Sequence, residues 1–170
     1  FSDQTRFQMS DGGTANLSPE TVRVDPTTEI ECSRRCKPMG AGRNVFFITE
    51  RGDNSAVREY RVAADNVGND AEDITSHVSR YIPNGVHKMI ASSNEDVVML
   101  LSTEKKNQMW VYKYFWIDEE KAQSSWSRWE FPDTDNILSI GNIETELFVI
   151  VQRPDGVYLD KIELQSTKPE

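Results

Sequence analysis

The sequence predicts an all-β chain that forms blades of a β-propeller, about three and a half four-stranded repeats that belong to a larger propeller. The first observation is a series of short apolar runs, each bounded by polar turns, which is typical of strands. The second is the recurrence of one such unit with a period of about 50 residues, as in propeller-type arrays. Because one four-stranded sheet leaves its apolar faces uncovered, we expect the units to stack. A β-sandwich with repetitive hairpins is the alternative fold.

The central unit, residues 81–131, contains the strongest strand signals. It opens with a turn at 83–85, and a strand is predicted to begin at Val86. The apolar run 97–101 is uninterrupted, which predicts a strand that is buried on both faces. Segment 109–117 is rich in aromatic residues, which favour a pleated, half-buried surface. One complete blade is therefore expected here.

The same unit recurs on both sides of the central one. The apolar runs 45–48, 97–100 and 147–150 begin 52 and 50 residues apart, and each is preceded by a polar turn. A polar loop and a more alternating strand follow each run, at 57–62, 109–117 and 157–164. We therefore interpret residues 1–170 as a single propeller segment with repeats at approximately 32–80, 81–131 and 132–164.

The remaining segments are short. A strand is expected at 6–9, and two strands at 21–24 and 28–31 are interrupted by Pro26, as is typical of a sheet edge. Segment 118–123 is predicted as a polar turn, and it is the one place where a short helix would fit. Helix should therefore account for less than about a tenth of the chain.

The start of the chain and the number of blades both bear on its surroundings. Phe1 falls within a predicted hairpin, so we expect the chain to be a fragment of a longer polypeptide. About three and a half blades are too few to close a propeller and leave an unpaired strand edge. Exposed edges pair with further strands, so we expect other parts of the same polypeptide to cover this one.

Composition narrows the class of protein. The chain has 170 residues, enough for one domain with a sizeable core. Its formal net charge of −9 argues against non-specific affinity for nucleic acid, which requires clustered Lys and Arg. The charge is compatible with a surface that DNA slides past. No apolar run approaches the length that spans a bilayer, so no membrane span is expected.

The two cysteines, Cys32 and Cys36, have the spacing C-x3-C. Zinc requires four ligands at characteristic spacings, and neither His77 nor His87 forms a ligand pair with these cysteines. A redox pair is normally C-x-x-C. Two reduced thiols are therefore expected, and a disulfide is left open.

Other motifs admit both a functional and a structural interpretation. Segment 51–53 is an Arg-Gly-Asp tripeptide, but Gly and Asp are also ordinary turn residues. The acidic segment 65–73 resembles a calcium loop, yet Val67 stands where an oxygen ligand is needed. Both are interpreted as solvated connections between strands.

The titratable residues do not form a catalytic pattern along the chain. Asp73, Ser76 and His77 are close in sequence, but no G-x-S-x-G elbow accompanies them. Adjacent carboxylates such as Glu119 and Glu120 do not face one another on either a strand or a helix. We predict no catalytic residue, no cofactor and no metal site, and therefore no enzyme.

Several segments resemble a known family. Residues 71–78, with the pattern Glu-Asp-x-Thr-Ser-His-Val, and residues 81–86, with Ile-Pro-Asn-Gly, carry the most distinctive part. The strand 109–117, the segment 123–129 and the opening residues 1–5 extend the likeness over most of the chain. Together they resemble the tail tubular protein B, or nozzle protein, family of T7-like podoviruses.

The resemblance implies a structural component of a phage tail, located in the virion and assembled in the host cytoplasm. Members of that family are longer than this chain, carry a propeller-like domain and form a hexameric ring. The implied partners are other parts of the same polypeptide, an adaptor or portal-side tail protein and tail fibres. Phage DNA passes through the tube during ejection without sequence-specific binding. The family transfers no catalytic residue to any position here.

Two alternative functions remain open at this point. One is a glycan-hydrolysing tail module, against which stands the missing carboxylate geometry. The other is a glycan- or receptor-binding module that uses exposed aromatic side chains. Its candidate residues are Trp110, Trp116, Trp126 and Trp129, which alternate as core residues do.

Overall fold

The computed structural model describes residues 6–10, 18, 22–28, 30–61, 71–117 and 120–163. These residues form thirteen β-strands and one short 3-10 helix, Ser76–Val78, and they contain no α-helix. Every strand pairing among them is antiparallel. The prediction of an all-β chain is therefore confirmed.

The strands form a hairpin and three larger sheets. The hairpin pairs β1 (Arg6–Ser10) with β2 (Arg23–Thr28). The first sheet has the order β3 (Met39–Ala41), β4 (Asn44–Arg51), β5 (Asn54–Arg61), β6 (Ala71–Asp73). The second sheet has the order β7 (Val86–Ser92), β8 (Val97–Ser102), β9 (Gln108–Ile117), β10 (Glu120–Glu130). The third sheet has the order β11 (Asn136–Ile143), β12 (Glu146–Arg153), β13 (Gly156–Glu163).

The three repeated apolar runs lie in the second strand of each sheet, β4, β8 and β12. In β8 all six residues are buried, because Val98 packs toward one neighbouring sheet while Met99 packs toward the other. The predicted strand buried on both faces is thus confirmed for β8. As a copy of the same apolar run, β12 is expected to be buried like β8, but Ile150 is 38% exposed, so this expectation is wrong on one face.

The sheets stack in chain order around two apolar cores. The first core lies between the first and second sheets and contains Phe46, Ile48, Val98 and Tyr112 among others. The second lies between the second and third sheets and contains Met99, Val111, Leu147 and Val149 among others. The sheets approach one another along their first strands, since β7 neighbours both β3 and β11.

Two segments differ from the sequence-based expectation, one at the start of β10 and one in β2. Glu120 to Gln123, predicted as part of a polar turn, belongs to strand β10, because the chain reverses directly after β9 and pairs Lys121 with Trp116. Pro26 does not interrupt a strand, since β2 runs through it and pairs it with Phe7. Proline is tolerated there because β2 pairs on one side in the described part of the chain.

Gly85 explains the predicted turn before β7. Its φ of +73° is a conformation that residues with a Cβ adopt rarely. A Cβ at this position would also collide with the Thr103 hydroxyl. Thr103 is held close to Gly85 because its backbone N–H donates to the Gly85 carbonyl at 3.0 Å. The turn therefore requires glycine for two independent reasons.

Candidate functional site

The seam between the first and second sheets contains a buried charge network. Glu59 on β5 is 3% exposed, and its Oε2 accepts a hydrogen bond from Lys121 Nζ on β10 at 2.5 Å. Its Oε1 accepts from Asn44 Nδ2 at 2.7 Å, and Lys121 Nζ lies 3.2 Å from Glu72 Oε2. We call Asn44, Glu59, Glu72 and Lys121 the inter-sheet clamp. It joins side chains from both sheets across an otherwise apolar seam.

Burial and pairing act in opposite directions within the inter-sheet clamp. Burial raises the pKa of Glu59 above its ordinary value, and the Lys121 ammonium offsets only part of that rise. Burial lowers the pKa of Lys121, but hydrogen bonding to Glu59 and the nearby negative charge outweigh it, so the Lys121 pKa is raised. The lysine therefore remains charged at neutral pH.

Aromatic side chains complete the same seam. The Trp116 ring contacts two cations, with Arg61 Cζ 4.3 Å and Lys121 Nζ 5.1 Å from its centroid. Trp126 on β10 donates from Nε1 to the Ile74 carbonyl, which follows β6, at 2.9 Å. These contacts fix the outer strands of the two sheets together.

The linker between the first and second sheets bonds to the β4–β5 turn. Asn84 N–H donates to the Asp53 carbonyl at 3.2 Å, and Asn84 Nδ2 donates to the Gly52 carbonyl at 2.9 Å. Ser55 N–H, at the start of β5, donates to the Ile82 carbonyl at 3.0 Å. The turn between the second and third strands thus receives the linker to the next sheet.

The arrangement repeats one sheet later. Ile137 N–H donates to the Lys106 carbonyl at 2.7 Å, and Phe131 N–H donates to the Asn107 carbonyl at 2.8 Å. Here too the turn between the second and third strands, now β8–β9, receives the linker that leads onward. The corresponding turn of the third sheet, between Arg153 and Gly156, lies seven residues before the last described residue, Glu163.

One face of the third sheet is apolar and open. Val149 on β12 faces the second core, whereas its neighbours Phe148 and Ile150 point to the opposite face. Ile150 pairs across strands with Leu159, which is 68% exposed. Val157 and Ile143 lie on the same face and are 61% and 66% exposed. We call Ile143, Phe148, Ile150, Val157 and Leu159 the open face.

The third sheet also has an open edge in the described part of the chain. In the first two sheets the third strand pairs with a fourth, β5 with β6 and β9 with β10. Strand β13 pairs there with β12 alone. Unpaired edges and contiguous apolar surfaces mark sites of association.

The cysteines are structural in this geometry. Neither Cys32 nor Cys36 forms a disulfide in this structure. Cys36 belongs to the first core, and burial, with a smaller effect of Cys32, raises the pKa of the Cys36 thiol to about 12. A thiol that stays protonated is a poor nucleophile.

The Arg-Gly-Asp turn makes internal contacts through the Arg51 side chain and the Gly52 and Asp53 carbonyl groups. Arg51 pairs with Asp73 at 2.6 Å, while Gly52 and Asp53 accept the linker hydrogen bonds described above. The Asp73 carboxylate also accepts hydrogen bonds from Thr75 N–H at 2.9 Å and Thr75 Oγ1 at 2.6 Å. Although burial opposes it, these hydrogen bonds and the Arg51 charge lower the pKa of Asp73.

The other predicted candidates are dispersed. Ser76 and His77 are exposed on the 3-10 helix, whereas Thr75 and Arg51 hold the Asp73 carboxylate. Glu120 is exposed at the start of β10, and Glu119 lies outside the described residues, as do residues 65–70 of the acidic segment.

The four tryptophans are core or seam residues. Trp110 is 1% exposed and donates from Nε1 to the Tyr81 carbonyl at 3.0 Å. Trp116, Trp126 and Trp129 are each partly buried against one of the two cores. No exposed row of aromatic rings arises from these four residues, which disfavours the glycan-binding alternative.

Neither a cluster of metal ligands nor a membrane-spanning helix is found among the described residues. Within them, no three His, Cys, Asp or Glu side chains come together as a metal ion requires. No helix in this part of the chain is long and apolar enough to cross a membrane.

Comparisons with known proteins identify the family of the chain. The family described as bacteriophage nozzle protein matches residues 1–170. The tail tubular protein gp12 of Escherichia phage T7 is 34% identical over 164 residues, which is 95% of this chain. The match spans 20% of that relative's length, so the chain corresponds to a fifth of it.

Proposed function

We propose that this chain, which belongs to the bacteriophage nozzle protein family, is a structural component of a phage tail and one propeller segment of a longer tail polypeptide. The single observation that carries the proposal is the family match over residues 1–170. The relative's greater length supports the view that further sheets belong to the same polypeptide.

The stacked sheets support the propeller. Two of them are four-stranded antiparallel meanders, and all three follow one another in chain order. They are closest along β3, β7 and β11, as blades are around a central axis. Repeats at about 32–80, 81–131 and 132–164 then each supply one blade, and blades outside this chain close the ring.

The proposed mechanism is mechanical. The polypeptide forms a hexameric ring in the tail tube, in contact with the adaptor or portal-side tail protein and with tail fibres. Phage DNA passes through the ring without sequence-specific binding. The net charge of −9 supports passage, because a surface with excess negative charge does not retain a polyanion.

Two carboxylates of the first sheet support a non-enzymatic role. The carboxylates of Glu59 and Asp73 are both engaged by cations and hydrogen-bond donors. Groups held in this way stabilise a scaffold and have no free position for a substrate. We therefore propose that the segment neither hydrolyses nor binds glycan.

The test uses the phage itself. Virions are produced with Val98→Asp in the parent polypeptide, and with the exposed control Thr145→Asp. We expect the first to yield particles that lack the nozzle and fail to eject DNA, and the second to resemble the wild type. Electron microscopy and a DNA-ejection assay measure both. Normal nozzles in the Val98→Asp particles would contradict a structural role for these sheets.

Glycan activity is measured in parallel. The purified 170-residue chain is incubated with capsular and lipopolysaccharide glycans. We expect neither release of oligosaccharide nor quenching of tryptophan fluorescence by sugars. Hydrolysis that disappears on mutating Asp73 or His77 would replace the proposal with an enzymatic function.

A further inference from the structure

We propose that the open face of the third sheet is the docking site for another antiparallel sheet of the same polypeptide, and that Lys161 is positioned to meet a carboxylate of that sheet. The inference rests on the proposed propeller and adds to it the partner and the contact residues. It follows from the register of the first and third sheets.

The first and third sheets share one register. In both, the second and third strands are joined by a two-residue turn, closed by the pairs Arg51–Asn54 and Arg153–Gly156. Counting back from these turns, the pair Ile48–Val57 of the first sheet corresponds to the pair Ile150–Leu159 of the third. The two pairs are therefore equivalent positions in two copies of one unit.

The equivalent positions differ in what covers them. Ile48 and Val57 are both fully buried, because the second sheet packs on them. Ile150 and Leu159 are 38% and 68% exposed. Phe148 takes the place of Phe46 in the same row, since each lies two residues before its isoleucine. The open face thus has the apolar pattern of an inter-sheet seam without the following sheet.

The register also predicts a charge of the docking sheet. Phe46 pairs across strands with Glu59, and Phe148 pairs with Lys161, so Lys161 occupies the place that Glu59 has in the inter-sheet clamp. Glu146, which takes the place of Asn44 in the register, already forms an ion pair with Lys161. Lys121 contacts two carboxylates, Glu59 and Glu72, and an ammonium has three donors. The incoming sheet is therefore expected to place a second carboxylate at Lys161.

The linker hydrogen bonds indicate where the docking sheet begins. The β4–β5 and β8–β9 turns each accept backbone hydrogen bonds from the linker to the next sheet, at Asp53 and at Lys106. The β12–β13 turn at Pro154 and Asp155 is the third member of this series. Its carbonyl groups are placed to receive the following linker.

The test compares a thiol on the open face in two contexts. Ile150→Cys is introduced with Cys32→Ser, while the buried Cys36 stays protonated and slow to react. Labelling by a maleimide is measured in the 170-residue chain and in the parent tail polypeptide, both diluted until monomeric. We expect fast labelling in the short chain and labelling slower by at least about tenfold in the parent. Thr145→Cys, in the β11–β12 turn, is the control and should label fast in both.

Three outcomes overturn the proposal: fast labelling in the parent monomer, slow labelling in the monomeric short chain, or protection that appears only when the parent oligomerises. The last outcome would assign the face to a second copy. Lys161→Glu should increase labelling of Ile150→Cys in the parent, whereas Lys161→Arg should not. If labelling stays fast while the parent still assembles into ejecting tails, the inference fails and the proposed function stands.

Discussion

Lys121 stands between two carboxylates of the neighbouring sheet and is 12% exposed, with Glu59 at 2.5 Å and Glu72 at 3.2 Å. A buried ion pair is weak evidence for net stability, because desolvation offsets the attraction. Removal of one partner is strongly destabilising, because the other charge then stays buried without a compensating charge. The inter-sheet clamp therefore acts mainly to fix how the first two sheets face one another.

Lys121→Met should destabilise the chain by about 3 to 5 kcal/mol, because it leaves the Glu59 carboxylate buried with Asn44 as its remaining partner. Arg128→Ala is the control: it breaks the exposed pair with Glu130 and should change stability by less than about 1 kcal/mol. Urea unfolding measures both. Equal losses of stability in the two variants would show that the inter-sheet clamp contributes no more to stability than an exposed ion pair.

The Lys121→Met variant should also gain stability on mild acidification. The pKa of Glu59 is already raised above its ordinary value of 4.5, and loss of the ammonium raises it further. In the window between these pKa values the folded state binds the proton more tightly, so the free energy of unfolding increases as the pH falls through it. Unfolding curves between neutral pH and the ordinary carboxyl pKa measure this, and adding Glu59→Gln should abolish the trend.

Asp73 should have the opposite pH dependence. Its pKa is lowered in the folded chain, so its stabilisation is fully present above the ordinary value of 3.8 and is lost as the pH falls through the folded value. Asp73→Asn should cost about 1 kcal/mol at neutral pH, from weakened bonds to Thr75 and Arg51. Thermal unfolding at several pH values tests this, and a difference that persists at the lowest pH would contradict it.

At the scale of strands, β8 should tolerate polar substitutions least, because all six of its residues are buried. Val98→Asp should reduce stability by at least about 4 kcal/mol, because it places an unpaired charge in the first core. Val157→Asp, on the exposed part of β13, is the matched control and should stay within about 0.5 kcal/mol. Chemical denaturation distinguishes the two, and a Val98→Asp chain that melts like the wild type would refute the burial of β8.

The strand pattern was predictable where burial alone determines it. The runs in β4, β8 and β12 are apolar where sheets pack on them, on both faces of β8 and on one face each of β4 and β12, and that signal is local in sequence. The inter-sheet clamp was not predictable, since Glu59 and Lys121 are 62 residues apart and meet only when two sheets stack. The start of β10 was missed because its polar residues lie on an exposed edge strand, where pairing with β9 rather than apolar periodicity determines the structure.

For the whole molecule, the open face predicts self-association of the separate chain. Ile150→Lys combined with Leu159→Lys should make the 170-residue chain more soluble and monomeric without lowering its melting temperature, because both side chains are already exposed. Sedimentation velocity and thermal unfolding measure the two properties. A wild-type chain that remains monodisperse at high concentration would argue against an adhesive face. Adding the complementary part of the parent polypeptide should likewise restore solubility.

The direction of the linker contacts has a consequence for how the polypeptide is made. Each sheet consists of consecutive residues, and each linker bonds to a turn that precedes it in the chain, as Asn84 does to Asp53 and Ile137 to Lys106. A ribosome has therefore already delivered the receiving turn when the linker emerges. Nascent sheets can therefore fold one at a time, beginning at the amino-terminal side. At each stage only the most recently synthesised sheet leaves an apolar face exposed to aggregation.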